Sequence, residues 1–267
     1  MSRGASILLL AIIAMLFIAA ITNRGCDPWT VLYGLEPQRI GPKKSANLPE
    51  ISVSAGAYDY LLLPSYEGSP FAVHVRLPHE YLLHPEHQRK PIVSYSFSTK
   101  MYYPDMSGIG NSKNDRYRKC NGYCEGYVST QIKAVIPSNE GNRRYLARLY
   151  KDRDARKPSI VYEKLAPKFG FDEHFTFTYP MQKPAGLHEY FIKKHKSGEP
   201  ELILQCHPNA PSPSCGAWVH LKETPELQIW IHFGMQLLPE WERVLASMDK
   251  KISGWVIKKY ELSAAKP

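Results

Sequence analysis

The residues of this chain whose types and spacing could do chemistry are its histidines and five cysteines. His79, His84 and His87 lie in the run HEYLLHPEH beside Glu80 and Glu86, the raw material of a zinc site. Zinc on a helix needs ligands three or four residues apart on one face, and Pro85 breaks any helix joining His84 to His87. The run reads as a solvated loop, and no metal or cofactor is assigned. Cys120 and Cys124 enclose Asn121-Gly122-Tyr123. Redox dithiols keep two residues between the sulfurs at a helix start, and half a zinc site needs further ligands at matching spacing. A loop staple fits this spacing better.

Nucleophilic catalysis has no visible signature: G-x-S-x-G is absent, and Gly108-Ile109-Gly110 has too few glycines to cradle phosphate. No catalytic residue is assigned. A triad assembled from distant positions leaves a lipid- or peptidoglycan-acting hydrolase as an alternative.

Cys206 and Cys215 have the clearer setting. Residues 201–206 (ELILQC) and 215–221 (CGAWVHL) read as two strands joined by a loop with prolines at 208, 211 and 213, too stiff to be strand itself. A bridge across its base would close a loop of about ten residues, worth roughly 2–3 kcal/mol by chain entropy, and would pin the hairpin register. With Cys26 set aside, the other four cysteines pair locally, although four permit three connectivities. Disulfides imply an oxidising compartment.

An export signal agrees with that. Residues 7–22 (ILLLAIIAMLFIAAIT) carry no charge and no proline, and Arg3 and Arg24 flank them. No small-x-small cleavage site follows cleanly, so the segment reads as an uncleaved signal anchor with Arg24 snorkelling. Acylation of Cys26 is the alternative, against which Asn23-Arg24-Gly25 departs from a lipobox. The expectation is a single-pass protein of a bacterial inner membrane with its bulk in the periplasm.

The elements that must position any site come next. Residues 27–57 contain Pro28, Pro37, Pro42 and Pro49 and read as a stalk after the 1–26 anchor. Residues 58–267 form the domain, or two subdomains with a break near 137–142 or 180–184. Period-two alternation marks strands at Phe71, Val73, Val75 and Leu77, and in one run from Val93 through Tyr95, Phe97, Thr99 and Met101 to Tyr103. Val128, Thr130, Ile132, Ala134 and Ile136 would be its antiparallel partner. A short helix is expected over 142–151, weaker strands near 159–163, 175–179 and 190–193, then the hairpin and an alternating strand at 227–233. Pro239 opens a final amphipathic helix through Trp241, Val244, Leu245, Met248, Ile252 and Trp255, with Lys258 and Lys259 towards its end. The fold class is α+β: a mostly antiparallel sheet of hairpins and meander, with a C-terminal helix packed on it, behind one transmembrane segment.

Between the first two paired strands runs a long loop, 104–126, rich in Gly, Tyr and basic residues. Loops of that length in a domain are often functional, and Tyr102, Tyr103, Arg116, Tyr117, Arg118, Lys119 and Tyr123 have the composition of a protein-binding hot spot. The net charge of +9 comes from short, scattered basic clusters, so it reads as a solvated surface rather than a nucleic-acid track.

Leu204-Gln205-Cys206, the Pro/Ser loop to Cys215, LQIWIHF at 227–233 and LLPEWERV at 237–244 resemble the C-terminal third of membrane-anchored periplasmic immunity proteins of type VI secretion loci. The resemblance implies a non-enzymatic protein whose partner is a cognate secreted effector, which it neutralises. It does not extend to the N-terminal half or to the toxin's identity, and oligomeric state is left open. A structural or accessory envelope component is the other alternative.

Overall fold

A strand buried on both faces needs apolar residues in succession, and one buried on a single face needs them at every second position. Both patterns occur in the computed structural model, which describes residues 48–64, 70–81, 90–108, 126–155, 159–180 and 186–262. The small sheet holds β1 (Ala57–Leu62), β2 (Phe71–Pro78), β3 (Ile92–Ser94) and β13 (Val256–Glu261), in the order β13-β2-β1-β3. β3 runs parallel to β1, and the other pairs are antiparallel.

The large sheet is antiparallel throughout. It takes β4 (Ser96–Tyr102), β5 (Ser107–Gly108), β6 (Tyr127–Ala134), β7 (Val161–Leu165), β8 (Glu173–Tyr179), β9 (Gly186–Lys194), β10 (Pro200–His207), β11 (Ser214–His220) and β12 (Leu227–Gly234). Their order is β5-β4-β6-β12-β11-β10-β9-β8-β7. Strands from both sides of 137–142 and of 180–184 therefore share one sheet. Two helices complete the described fold: α1 (Glu140–Asp154) and α2 (Trp241–Ser253), the latter entered through a 3-10 turn over Met235–Glu240 that contains Pro239.

One core lies among the two sheets and α2. Leu62, Val73, Val75 and Leu77 from the small sheet meet Ile132, Leu204, Ile229, Ile231 and Phe233 from the large one, with Val244, Met248 and Ile252 of α2. The fold is thus α+β, mostly antiparallel sheet with the C-terminal helix packed against it. No helix of the described residues is long and apolar enough to cross a membrane, and the 7–22 segment lies outside them.

Three expectations need correction, and one strand was not foreseen. The alternating run from Val93 to Tyr103 is two strands: Ser94 Oγ donates to the Ser96 carbonyl across Tyr95, and the chain changes sheets there. The final helix stops at Ser253. Trp255 passes its carbonyl to the Arg76 amide, and Lys258 and Lys259 sit on β13 beside β2. β1 has no counterpart in the sequence reading, because its near-continuous burial leaves no alternation to see. Ile136 lies beyond β6 and is exposed.

The small sheet also buries an ionic cluster. Asp59 is 0% exposed; it accepts from Arg76 Nε at 2.9 Å and from the Ser54 amide at 2.8 Å, and lies 2.7 Å from His74 Nε2. Burial works against its charge, but the Ser54 amide, His74 and Arg76 outweigh it and hold the carboxyl below its ordinary value.

Candidate functional site

Alternation gives the large sheet two faces, and the face turned away from the shared core is treated differently in its two halves. Over β8, β9 and β10 it carries Phe175, Phe177, Tyr190, Ile192 and Ile203, and α1 closes over them with Leu146 and Leu149. Tyr145 of α1 donates to Gln205 Oε1 at 2.8 Å, and Tyr150 donates to Glu173 Oε2 at 2.7 Å. This half is a second, covered core.

Among the described residues no helix closes over the same phase of β4, β6, β12 and β11, although Tyr102 at its edge is buried. This phase presents Ser96, Ser98 and Lys100; Tyr127, Ser129, Gln131 and Lys133; Gln228, Trp230 and His232; and Trp218 and His220. Every one of these reaches solvent. No Asp or Glu stands on this phase of the four strands. Trp218 and Trp230 are cross-strand partners with ring centroids 5.3 Å apart. Lys133 lays its ammonium 3.9 Å from the centre of the Trp218 ring, and desolvation there lowers its pKa.

Gly216 makes the arrangement fit. A Cβ at that position would stand 2.6 Å from the six-membered ring of Trp230, so the indole lies where only a glycine leaves room. Around the aromatic pair, Gln131 Nε2 donates to Ser96 Oγ at 3.3 Å and Gln228 Nε2 stands 3.2 Å from His220 Nε2. His220 in turn approaches the carbonyls of Ser138 and Pro225. Half-buried tryptophans beside a stacked cation are the composition that carries energy in protein interfaces.

The two halves meet at a seam. β10 and β11 pair only from Gln205–Gly216 to His207–Ser214, and Cys206 faces Cys215 in the middle of that register. These two sulfurs form a disulfide with Cα atoms 4.0 Å apart, both residues fully buried. Where the strands part, Asn139 and Asn142 donate to the Pro200 and Glu201 carbonyls of β10. Beside the bridge, Gln205 Nε2 lies 3.1 Å from His188 Nδ1 and 3.3 Å from His207 Nε2. An amide nitrogen can only donate, so both ring nitrogens accept and both imidazoles are neutral. Burial and then the neighbouring His207 push His188 down to about 4, and burial lowers His207.

The residues singled out from sequence are dispersed. Cys206 and Cys215 are joined as above. Tyr102 is 1% exposed and edge-on to Tyr127. Tyr103 donates to Glu240 Oε2 at 2.8 Å, tying the end of β4 to the start of the C-terminal helical segment; that bond, with some burial, raises its pKa. Arg116, Tyr117, Arg118, Lys119 and Tyr123, with Cys120, Cys124 and Cys26, lie outside the described residues, as do His84 and His87. Among the described residues no group of three or more His, Cys, Asp or Glu could hold a metal ion. Trp218, Trp230 and Lys133 were not singled out. The available signal was an aromatic on the polar phase of an alternating strand, as in LQIWIHF.

No family model matches the chain, and no curated protein matches it. Among solved structures it is similar to an immunity protein of the Stenotrophomonas maltophilia type IV secretion system. That likeness has a TM-score of 0.43 and 13% identity, and covers 80% of this chain and 100% of the other. Similarity of that degree carries no argument about function, and the secretion system named there is type IV rather than type VI.

Proposed function

We propose that this chain is a binding protein that neutralises a secreted antibacterial effector, held by its N-terminal segment at the periplasmic side of a bacterial inner membrane, in a type VI locus. The observation that carries the reading is the open face of the large sheet, where Trp218, Trp230 and Lys133 are only half-covered although the sheet's other half is sealed by α1. Leaving part of two adjacent indole rings in contact with water is unfavourable, and a partner that covers them recovers that energy. The buried Cys206–Cys215 bridge suits an oxidising compartment. A tether at the membrane surface would raise the local concentration of such a protein where a toxin attacks lipid or wall.

The test is a pull-down with the full-length protein from a strain secreting its effectors, paired with a deletion strain grown against its siblings. Recovery of an effector, with sibling killing of the deletion strain, is the expected result. Recovery of inner-membrane assembly proteins instead, with deletion cells unharmed, would replace this reading with an envelope accessory role.

A further inference from the structure

The chemistry of the open face narrows the kind of partner. It combines an aromatic pair with Lys100, Lys133, His220 and His232 and no acidic side chain on the same phase. Some cations elsewhere are answered by carboxylates within the chain, Lys194 by Glu173 and Lys259 by Glu226 and Glu261, whereas Lys193 donates to the Gly170 carbonyl and Lys258 lies over the Tyr260 ring. Lys133 is held against the aromatic pair itself. Its ammonium is partly desolvated against Trp218, and among the described residues no carboxylate pairs with it. A cation held at a fixed place, stripped of part of its water and left without a counter-charge gains most from an incoming anion. Gln131, two residues before Lys133 on β6, and Gln228, its cross-strand partner on β12, supply amide donors.

We infer that the open face docks an acidic protein surface, one carboxylate of which takes the ammonium of Lys133 while Trp218 and Trp230 pack against the apolar stem or an adjacent side chain. This rests on the binding-protein reading above and adds the partner's chemistry. Aromatic area with a central ion pair and polar amides at its flanks is the arrangement of a protein hot spot, rather than of an evenly basic membrane or nucleic-acid surface.

Tryptophan fluorescence of the full-length protein in detergent tests it, with poly-L-glutamate, phosphatidylglycerol vesicles and a single-stranded oligonucleotide as probes at physiological salt. Saturable binding of poly-L-glutamate is expected. Lys133→Gln should weaken it roughly tenfold, Lys133→Arg should retain it, and Lys259→Gln, which removes a cation already paired, should leave it unchanged. Equal losses in Lys133→Gln and Lys259→Gln, or vesicles or oligonucleotide binding as tightly as poly-L-glutamate, would overturn the inference. A captured effector that binds Lys133→Gln and the parent protein equally would sink it while sparing the proposed function. Poly-L-glutamate binding through Lys133 without any effector in the pull-down would do the reverse.

Discussion

The two halves of the large sheet follow one alternation and reach opposite ends. On β8 to β10 the phase away from the common core is Phe175, Phe177, Tyr190, Ile192 and Ile203, and α1 buries it. On β4, β6, β12 and β11 that phase is Trp, Lys, His, Gln, Ser and Tyr, and water reaches it. Aromatic residues occur in both, but in the covered half they pack against Leu146 and Leu149 of a helix laid over them. The difference teaches that aromatic content alone does not separate core from interface. The accompanying polar residues do: a half that must be dry carries few donors, and a half that must be recognised surrounds its rings with them.

The sharpest way to break this comparison is to truncate the covered half. Phe177 is 0% exposed, and Phe177→Ala should cost about 3–5 kcal/mol by chemical denaturation, since the cavity beneath α1 cannot collapse against a rigid sheet. A loss near zero would mean that α1 is not a true cover. The next effect belongs to the seam. Replacing Cys206 and Cys215 together by Ser should cost roughly 2–3 kcal/mol, read as a lower denaturation midpoint under non-reducing conditions. Because β10 and β11 pair only around this bridge, the loss should appear as earlier amide exchange at Gln205 and Gly216.

How much of this was legible depends on how local its cause is. The alternation of Phe97, Thr99 and Met101 against Val128, Thr130 and Ile132 needs only neighbouring residues, and the register pairs them as read. The stapled hairpin was legible for the same reason. The change of sheet at Tyr95 was not, because the side-chain phase continues through it and only the Ser94–Ser96 hydrogen bond and the pairing of β3 with β1 mark the break. The end of α2 at Ser253 was hidden because Trp255 extends the helical spacing of apolar residues, although it belongs to the turn before β13. At the candidate site, the alternation of LQIWIHF sets Trp230 on the polar phase, but its pairing with Trp218 and the space above Gly216 exist only once β11 lies beside β12.

Acidification should act on the seam more gently. Both His188 and His207 are pushed below the ordinary imidazole value, so the unfolded chain takes up their protons first. Their contribution to stability is therefore complete above about 6.5, the ordinary imidazole value, and falls away as pH drops towards about 4. Charging either ring also cancels an acceptor for Gln205, with Tyr145, Tyr179, Tyr190 and Arg148 as the remaining polar neighbours of the cluster. Denaturation midpoints measured across that interval should decline with acid, and His188→Gln should flatten the slope. An unchanged slope would show that these imidazoles are not held neutral by the fold.

The smallest effect on stability is expected where the effect on binding is greatest. Trp218 is half-buried, its ring shared between Lys133 and Trp230, so Trp218→Ala forfeits part of a side chain's transfer energy and opens no closed cavity. The expected cost is about 1–1.5 kcal/mol, well below that of Phe177→Ala, because solvent fills the vacated volume. The same change returns Lys133 to water and removes the surface against which it is held, so effector capture should fall much further than the denaturation midpoint. Should Trp218→Ala instead destabilise the protein as severely as Phe177→Ala while capture per folded molecule stays constant, the open half would be core after all, and the division of the sheet into a sealed and a recognising half would fail.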